Sequence, residues 1–163
     1  TVVNTNVVGL MYGSHIAFEK MQAQGFGAIY NMEGYGSTGR RMTNGLAVYG
    51  STKAGVTFFN KALAAEAEGT NVIVGSFLPG MVATDFIIKQ YNGKPEEWER
   101  VRPIFNIISE RVDTVAEWMA EIALKNQRNG ARYIFSSMWK LMVRFLTASF
   151  HKREIFADLE KKR

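Results

Sequence analysis

The stretch Tyr49-Gly-Ser-Thr-Lys53 decides how the rest of the sequence is interpreted. It lies in a segment whose pattern predicts a helix over residues 48–68, and side chains four residues apart share one helix face. A free phenol has a pKa of about 10, and a nearby ammonium lowers that pKa toward the range useful for proton transfer. The pair is therefore a candidate proton-transfer device. The alternative is a half-exposed tyrosine beside a solvated lysine on an ordinary amphipathic helix.

The segments on either side predict an α/β protein with a parallel sheet. Hydrophobic periodicity and turn residues predict helices and strands in alternation: helix 5–24, strand 28–32, a glycine-rich loop 33–47, helix 48–68, strand 72–78, an irregular stretch 81–110, helix 114–126 and strand 132–136. Strands that alternate with helices are typical of a doubly wound sheet.

Composition fits one globular unit, and it excludes several kinds of site. The chain has 163 residues, of which 47% are hydrophobic and 21% charged. It has no cysteine, which excludes disulfides and thiolate metal sites. His15 and His151 are too far apart in sequence to suggest a metal centre, and we predict none. No apolar run approaches the ~20 residues that span a bilayer, and no secretory leader is visible, so we expect a cytoplasmic protein.

The order of motifs resembles the C-terminal half of the short-chain dehydrogenase/reductase family. The tyrosine-lysine helix is followed by a strand and then by Pro79-Gly-Met-Val-Ala-Thr84, and the resemblance covers nearly all of residues 1–137. It implies a Rossmann fold and an enzyme that uses NAD(P)H to reduce a carbonyl, or NAD(P) to oxidise the matching alcohol. No glycine-rich dinucleotide turn follows a strand. We therefore expect a fragment of a longer protein, with the cofactor-binding half and the choice between NAD and NADP outside it.

The resemblance assigns roles to individual residues. Tyr49 matches the catalytic tyrosine, which exchanges a proton with the substrate oxygen. Lys53 matches the lysine that lowers the pKa of the tyrosine and binds the nicotinamide ribose. Asn6 matches an asparagine that holds a water linking the lysine to solvent, although a simple polar cap is the other interpretation. Asn4 is the rival for this role, and counting back from Gly27 favours Asn6.

The segment after the second strand matches the loop that holds the nicotinamide carboxamide. The matching residues are Pro79, Gly80, Val82 and Thr84. In the family, the backbone at Val82 and the hydroxyl at Thr84 hold the ring in one orientation, which fixes the face of hydride transfer.

One catalytic residue departs from the family pattern. The family places a serine after the middle strand, where this chain has Gly34, and the loop to Tyr49 is about two residues longer than usual. Ser37 is the nearest hydroxyl, and it either donates to the developing oxyanion or is an ordinary turn serine.

The run Tyr30-Asn-Met-Glu-Gly-Tyr-Gly-Ser-Thr-Gly-Arg40 resembles the corresponding loop of the chlorophyll b reductase branch. The segment Val143-Arg-Phe-Leu-Thr147 is also similar to that branch. Plant members reduce the formyl group of chlorophyll b, so we expect a large, apolar aldehyde or ketone as substrate. Arg40 and Arg41 either contact an acidic part of the substrate or are solvated.

Residues 138–163 form a basic amphipathic tail that we separate from the domain over 1–137. The tail holds seven Lys or Arg and three Asp or Glu, which is most of the chain's net charge of +5. Such a helix packs on the domain, contacts a partner subunit or lies on an anionic membrane surface. The positive charge is local and no binding motif accompanies it, so we predict no nucleic-acid partner.

Three hypotheses about function follow. The first is a nicotinamide-dependent reductase. The second is a family member that has lost catalysis and acts as a binding or oligomerisation scaffold, which the missing serine motivates. The third is a truncated chain that only contributes helix surfaces to an assembly. In the family, the helices that match 5–24 and 48–68 pair between subunits, so we expect a homodimer or homotetramer.

Overall fold

A computed structural model describes residues 1–40 and 42–160. Arg41, Lys161, Lys162 and Arg163 lie outside the described residues. The elements in chain order are a π-helical turn (Asn4–Gly9), α1 (Leu10–Gln24), β1 (Gly27–Met32), α2 (Ala47–Glu66), β2 (Val72–Leu78), β3 (Met81–Val82), α3 (Asp85–Lys89), α4 (Pro95–Ile108), β4 (Ser109–Glu110), α5 (Val112–Lys125), β5 (Arg132–Ile134), α6 (Met138–Thr147) and α7 (Ala157–Glu160).

The chain divides into two compact units. The first contains residues 1–78 and 121–134, and the second contains 79–120 and the residues from 135 onward. The tail is grouped with 79–120, while the predicted boundary at residue 137 stays a prediction.

The first unit is built on a parallel sheet in the order β1-β2-β5. Met32 lies opposite Phe77, and Ser76 lies opposite Arg132. The continuous apolar run of β2 is buried at most positions, as expected for a strand covered on both faces. This part of a doubly wound α/β fold confirms the predicted fold class.

Helices α1 and α2 pack on this sheet through a shared apolar core. The buried core residues are Phe18, Ile29, Leu63, Ala64, Ala67, Val72 and Val74. A buried polar chain crosses the same elements: Ser14 Oγ donates to Asn31 Oδ1 at 3.1 Å, and Asn31 Nδ2 donates to Asn60 Oδ1 at 3.0 Å. Because buried polar groups must find partners, these linked hydrogen bonds fix α1, β1 and α2 in one arrangement.

The prediction of an irregular stretch over 81–110 is wrong. That stretch contains α3, α4 and two short strands. Pro95 occupies the start of α4, where its missing N–H costs nothing, and Glu96 and Glu97 complement the helix dipole in the first turn. Pro103 lies inside α4 at an exposed position. Pro95 therefore starts α4, and Pro103 is accommodated within it.

The second unit has an aromatic core. Trp98 stacks edge-on against Phe156 with ring centres 5.3 Å apart, and its indole N–H donates to Glu160 at 2.8 Å. Strands β3 and β4 pair in parallel, with Val82 opposite Glu110.

Glu110 forms the main ionic cluster of the second unit. Its side chain is 9% exposed and forms ion pairs with Arg144, with Arg153 at 3.0 Å and with Lys140 at 3.6 Å. Burial raises the pKa of Glu110, but the hydrogen bond and charge of Arg144, together with Arg153, outweigh this and leave the pKa below its ordinary value.

Helix α6 carries several exposed apolar side chains. Trp139 and Leu146 are each 73% exposed, and Phe150 beyond the helix is 85% exposed. Within residues 1–40 and 42–160, no helix is both long enough and apolar enough to cross a bilayer.

Candidate active site

Helix α2 places Tyr49 and Lys53 one turn apart, as the sequence spacing predicts. Both side chains are half-buried. Lys53 Nζ donates to the carbonyl oxygen of Met32 at 3.0 Å, and it lies 5.9 Å from the centre of the Tyr49 ring. The last residue of β1 therefore anchors the lysine while its charge remains close to the phenol.

Gly34 faces the phenol directly. A Cβ built at Gly34 would lie 2.7 Å from the Tyr49 hydroxyl and 3.2 Å from Lys53 Cε. A Cβ 2.7 Å from the hydroxyl is closer than real Cβ contacts allow, so a side chain here would require the Tyr49 hydroxyl or the loop to shift. The position that carries the serine in the family pattern thus lies beside the tyrosine hydroxyl, and in this chain it has no side chain.

Ser37 is buried close to the same loop. Its hydroxyl accepts a hydrogen bond from the Gly34 backbone N–H at 3.0 Å and donates to the Lys53 carbonyl at 3.4 Å. These bonds tie the loop after β1 to helix α2. Its role as an oxyanion donor stays a prediction.

Asn6 is tied to the same helix from the other side. It lies in the π-helical turn, a local geometry that is frequent at functional sites. Asn6 Nδ2 donates to Thr52 Oγ1 at 3.1 Å, and Thr52 Oγ1 donates to the Tyr49 carbonyl at 2.6 Å. Asn4, the rival for the relay role, is exposed, and the choice of Asn6 stays a prediction.

The expected lowering of the Tyr49 pKa is not what the structure gives. Burial of the ring raises the pKa of Tyr49 above its ordinary value. Burial also lowers the pKa of Lys53, and the negative charge of Glu33 acts in the opposite direction. Helical spacing indicates only the ammonium one turn away, whereas the loss of solvent around the phenol has the larger effect on its pKa.

The predicted carboxamide-holding segment lies in the second unit. Pro79 is buried, and its carbonyl accepts a hydrogen bond from Ser136 Oγ at 3.3 Å. Gly80 has a φ of +81°, and a Cβ there would lie 2.7 Å from Ser136 Oγ, so only glycine fits. Val82 lies in β3 and Thr84 immediately precedes α3. Their contact with a nicotinamide stays a prediction.

Sequence reasoning missed an ion pair directly after β1. The Glu33 side chain is 1% exposed, and Arg132 binds both of its carboxylate oxygens at 2.7 to 3.0 Å. Ser76 Oγ donates to the same carboxylate at 2.8 Å. The available signal was a charged residue immediately after an apolar strand, since a buried carboxylate requires a partner.

The fold and the paired tyrosine and lysine define a class, the Rossmann-type dehydrogenases. The closed form of a serine dehydrogenase complexed with NADP+ matches over 80% of this chain and 52% of its own, with 25% identity and a TM-score of 0.68. An acetoin dehydrogenase from Enterobacter cloacae matches 82% of this chain and 52% of its own, with 21% identity and a TM-score of 0.61, and supports the fold alone.

The sequence identifies the family within this class. A family model described as short chain dehydrogenase matches residues 1–95, more than half of the chain. The protein belongs to the short-chain dehydrogenase family, which confirms the resemblance stated from the motifs.

Several of the similar relatives carry the name of the branch that the loop motif indicated. Chlorophyll(ide) b reductase NOL of Arabidopsis thaliana is 33% identical over 160 residues, which are 96% of this chain and 42% of that protein. The rice protein of the same name is 33% identical over 162 residues, 97% of this chain and 44% of its own length. Acetoacetyl-CoA reductase of Shinella zoogloeoides is 34% identical over 86 residues, 53% of this chain and 35% of its own. The chain thus spans less than half the length of these relatives.

Proposed function

We propose that the protein uses a reduced nicotinamide, NAD(P)H, to reduce a carbonyl group, with Tyr49 as the proton donor and Lys53 as its assistant. The observation that carries the proposal is the anchoring of Lys53 on the Met32 carbonyl beside a half-buried phenol. An ammonium has three donors, and one of them goes to Met32. The others are suited to the hydroxyls of a nicotinamide ribose.

The bound nicotinamide would supply the hydride that reduces the carbonyl carbon. The chain's own residues handle the proton. The phenol is protonated at neutral pH, since its ordinary pKa is about 10 and burial raises it further, so it can donate to the developing alkoxide. The charge of Lys53 then stabilises the phenolate that remains.

The absence of a side chain at Gly34 also fits this chemistry. A Cβ at this position would meet the Tyr49 hydroxyl, so glycine keeps that hydroxyl accessible to a reacting oxygen. Ser37 and Asn6 complete the proposed site as an oxyanion donor and a proton-relay residue. Pro79, Gly80, Val82 and Thr84 are proposed to hold the carboxamide, on the evidence of their motif.

The proposed substrate class is a large, apolar aldehyde or ketone. Support comes from the loop motif and from relatives named as chlorophyll(ide) b reductases, at 30% to 38% identity. Arg40 is exposed in this loop and is available for an acidic group of the substrate.

The test is an assay of the full-length protein with NADH and with NADPH on chlorophyll b and on simpler aromatic aldehydes. Tyr49→Phe should lower turnover by about 10²–10⁴-fold without weakening cofactor binding, since it removes only the proton donor. Tyr12→Phe is the matched control, because this tyrosine is 67% exposed on α1. Undiminished turnover in Tyr49→Phe would rule out the mechanism. Cofactor binding without turnover of these aldehydes would favour the scaffold hypothesis.

We also propose that the protein assembles through α1 and α2. Apolar side chains are exposed on both helices, including Ile16 at 51% and Phe58 at 76%. Light scattering should show a dimer or a tetramer, and a monomer would contradict this proposal.

The apolar face of α6 supports a contact with a second copy over a contact with lipid. Lys140, Arg144 and Arg153 all form ion pairs with Glu110, which neutralises part of the charge that would attract an anionic surface. Co-sedimentation with anionic liposomes separates the two: pelleting that is lost when residues 138–163 are deleted would support the membrane contact.

A further inference from the structure

The Glu33 carboxylate is a buried ionisable group that the proposed mechanism does not use. Its backbone N–H donates to the Phe77 carbonyl at 2.8 Å, so strand β2 fixes the residue. Arg132 binds both carboxylate oxygens, and Ser76 donates to one of them. The side chain is thus held in a single orientation in the interior of the first unit.

The two chain neighbours of Glu33 face the catalytic pair. The Met32 carbonyl accepts the hydrogen bond from Lys53, and Gly34 lies against the Tyr49 hydroxyl. A residue anchored between these two neighbours fixes the backbone that meets both catalytic groups.

We propose that Glu33 is a positioning residue: its carboxylate, fixed by Arg132 and Ser76 next to the Met32 carbonyl that binds Lys53, is the counter-charge of the Lys53 ammonium. This inference rests on the proposed function of Lys53.

Among the described residues, Tyr49 lies one turn from Lys53 on the same helix, and Glu33 follows β1. Arg132 on β5 is bound to Glu33, and Lys61 on α2 and Glu68 just after it line the same pocket as this ion pair.

Removing either partner of the Glu33–Arg132 ion pair is expected to shift the pKa of Lys53, in opposite directions. Burial lowers the pKa of Lys53, and the charge of Glu33 raises it. Removing the carboxylate removes this opposing charge, so burial alone acts on Lys53 and its pKa falls. Removing Arg132 instead leaves the carboxylate unneutralised, which favours the ammonium.

The experiment titrates Lys53 directly in the full-length protein by NMR of lysine labelled with carbon-13 at Cε. The Lys53 signal is assigned by its loss in Lys53→Arg. Glu33→Gln should move the titration midpoint of Lys53 to lower pH, and Arg132→Gln should move it to higher pH. Glu110→Gln is the matched control, because it removes another buried carboxylate bound to arginine and should leave the midpoint unchanged.

Opposite shifts cannot arise from a general loss of stability. The proposal would be overturned if Glu33→Gln and Arg132→Gln both titrated like the unmodified protein, or if both shifted in the same direction. If Glu33→Gln does not fold, a midpoint in Arg132→Gln that fails to rise overturns it as well. The measurement needs no substrate, so its failure is distinct from a failure of the Tyr49→Phe assay.

Discussion

Two buried carboxylates, one in each unit, show how the surroundings of the same side chain determine its use. Glu33 is bound by a single cation, Arg132, and a hydroxyl, and it adjoins the backbone that holds Lys53. Glu110 is surrounded by Arg144, Arg153 and Lys140. An ion pair next to the proposed catalytic lysine can tune that lysine, whereas a carboxylate shared by three cations ties β4 to the tail. We therefore expect the first arrangement to serve chemistry and the second to serve stability.

The largest expected effect comes from replacing one cation from each site and comparing Lys53→Met with Arg144→Met. Lys53→Met should lower kcat/KM by about 10²-fold or more, because the phenolate loses its stabilising charge. Arg144→Met should leave kcat/KM close to normal and lower the unfolding midpoint. Steady-state kinetics and thermal melts of both variants provide the check. A kinetic loss in Arg144→Met as large as that in Lys53→Met would remove the contrast.

Ser37→Ala compared with Ser109→Ala extends the contrast to two buried serines. If Ser37 donates to the oxyanion, its loss should lower turnover by about 10²–10³-fold with unchanged cofactor affinity. Ser109 Oγ has no hydrogen-bond partner among the described residues, so Ser109→Ala should alter neither activity nor stability appreciably. A drop in the melting temperature of Ser37→Ala without a change in turnover would identify Ser37 as a turn serine.

Glu110→Gln tests how much the Glu110 cluster contributes to the unfolding free energy. It leaves three cations facing each other without their shared carboxylate, which should cost about 3 kcal/mol of unfolding free energy. Urea titration followed by tryptophan fluorescence measures this, since Trp98 lies in the core of the same unit. A change below about 0.5 kcal/mol, the size expected of a surface substitution, would show that the cluster contributes little.

The pH dependence of stability is the smallest and most specific test. The pKa of Glu110 is lowered in the folded state, so its contribution is fully present above the unfolded value of about 4.3. That contribution is lost as the pH falls through the lower folded value. The unfolding free energy should therefore decline over this acidic range in the unmodified protein and decline less in Glu110→Gln. Identical acid profiles would contradict the assignment.

The features that the sequence predicted correctly are local ones. The shared face of Tyr49 and Lys53 follows from helical spacing alone, and the bounds of β2 follow from a continuous apolar run. The motif that ends in Arg40 was enough to indicate the branch to which the relatives belong.

The features that sequence reasoning missed depend on tertiary structure. Glu33 and Arg132 are 99 positions apart, and no local pattern joins them. The direction of the Tyr49 pKa shift depends on burial, which helical spacing does not reveal. Helix α4 was missed, although Pro95 stands at its start, where a proline is favourable.

The position of β1 at the rim of the sheet has a practical consequence. The strand Gly-Ala-Ile-Tyr-Asn-Met carries neither charge nor proline, the features by which proteins usually prevent such a strand from recruiting others. A polypeptide of the 163 residues alone will therefore tend to aggregate, because the unpaired backbone groups at the outer edge of β1 can pair with strands of other molecules. When the protein is expressed for crystallisation, any segment that supplies a strand pairing with β1 should be included before surface residues are engineered.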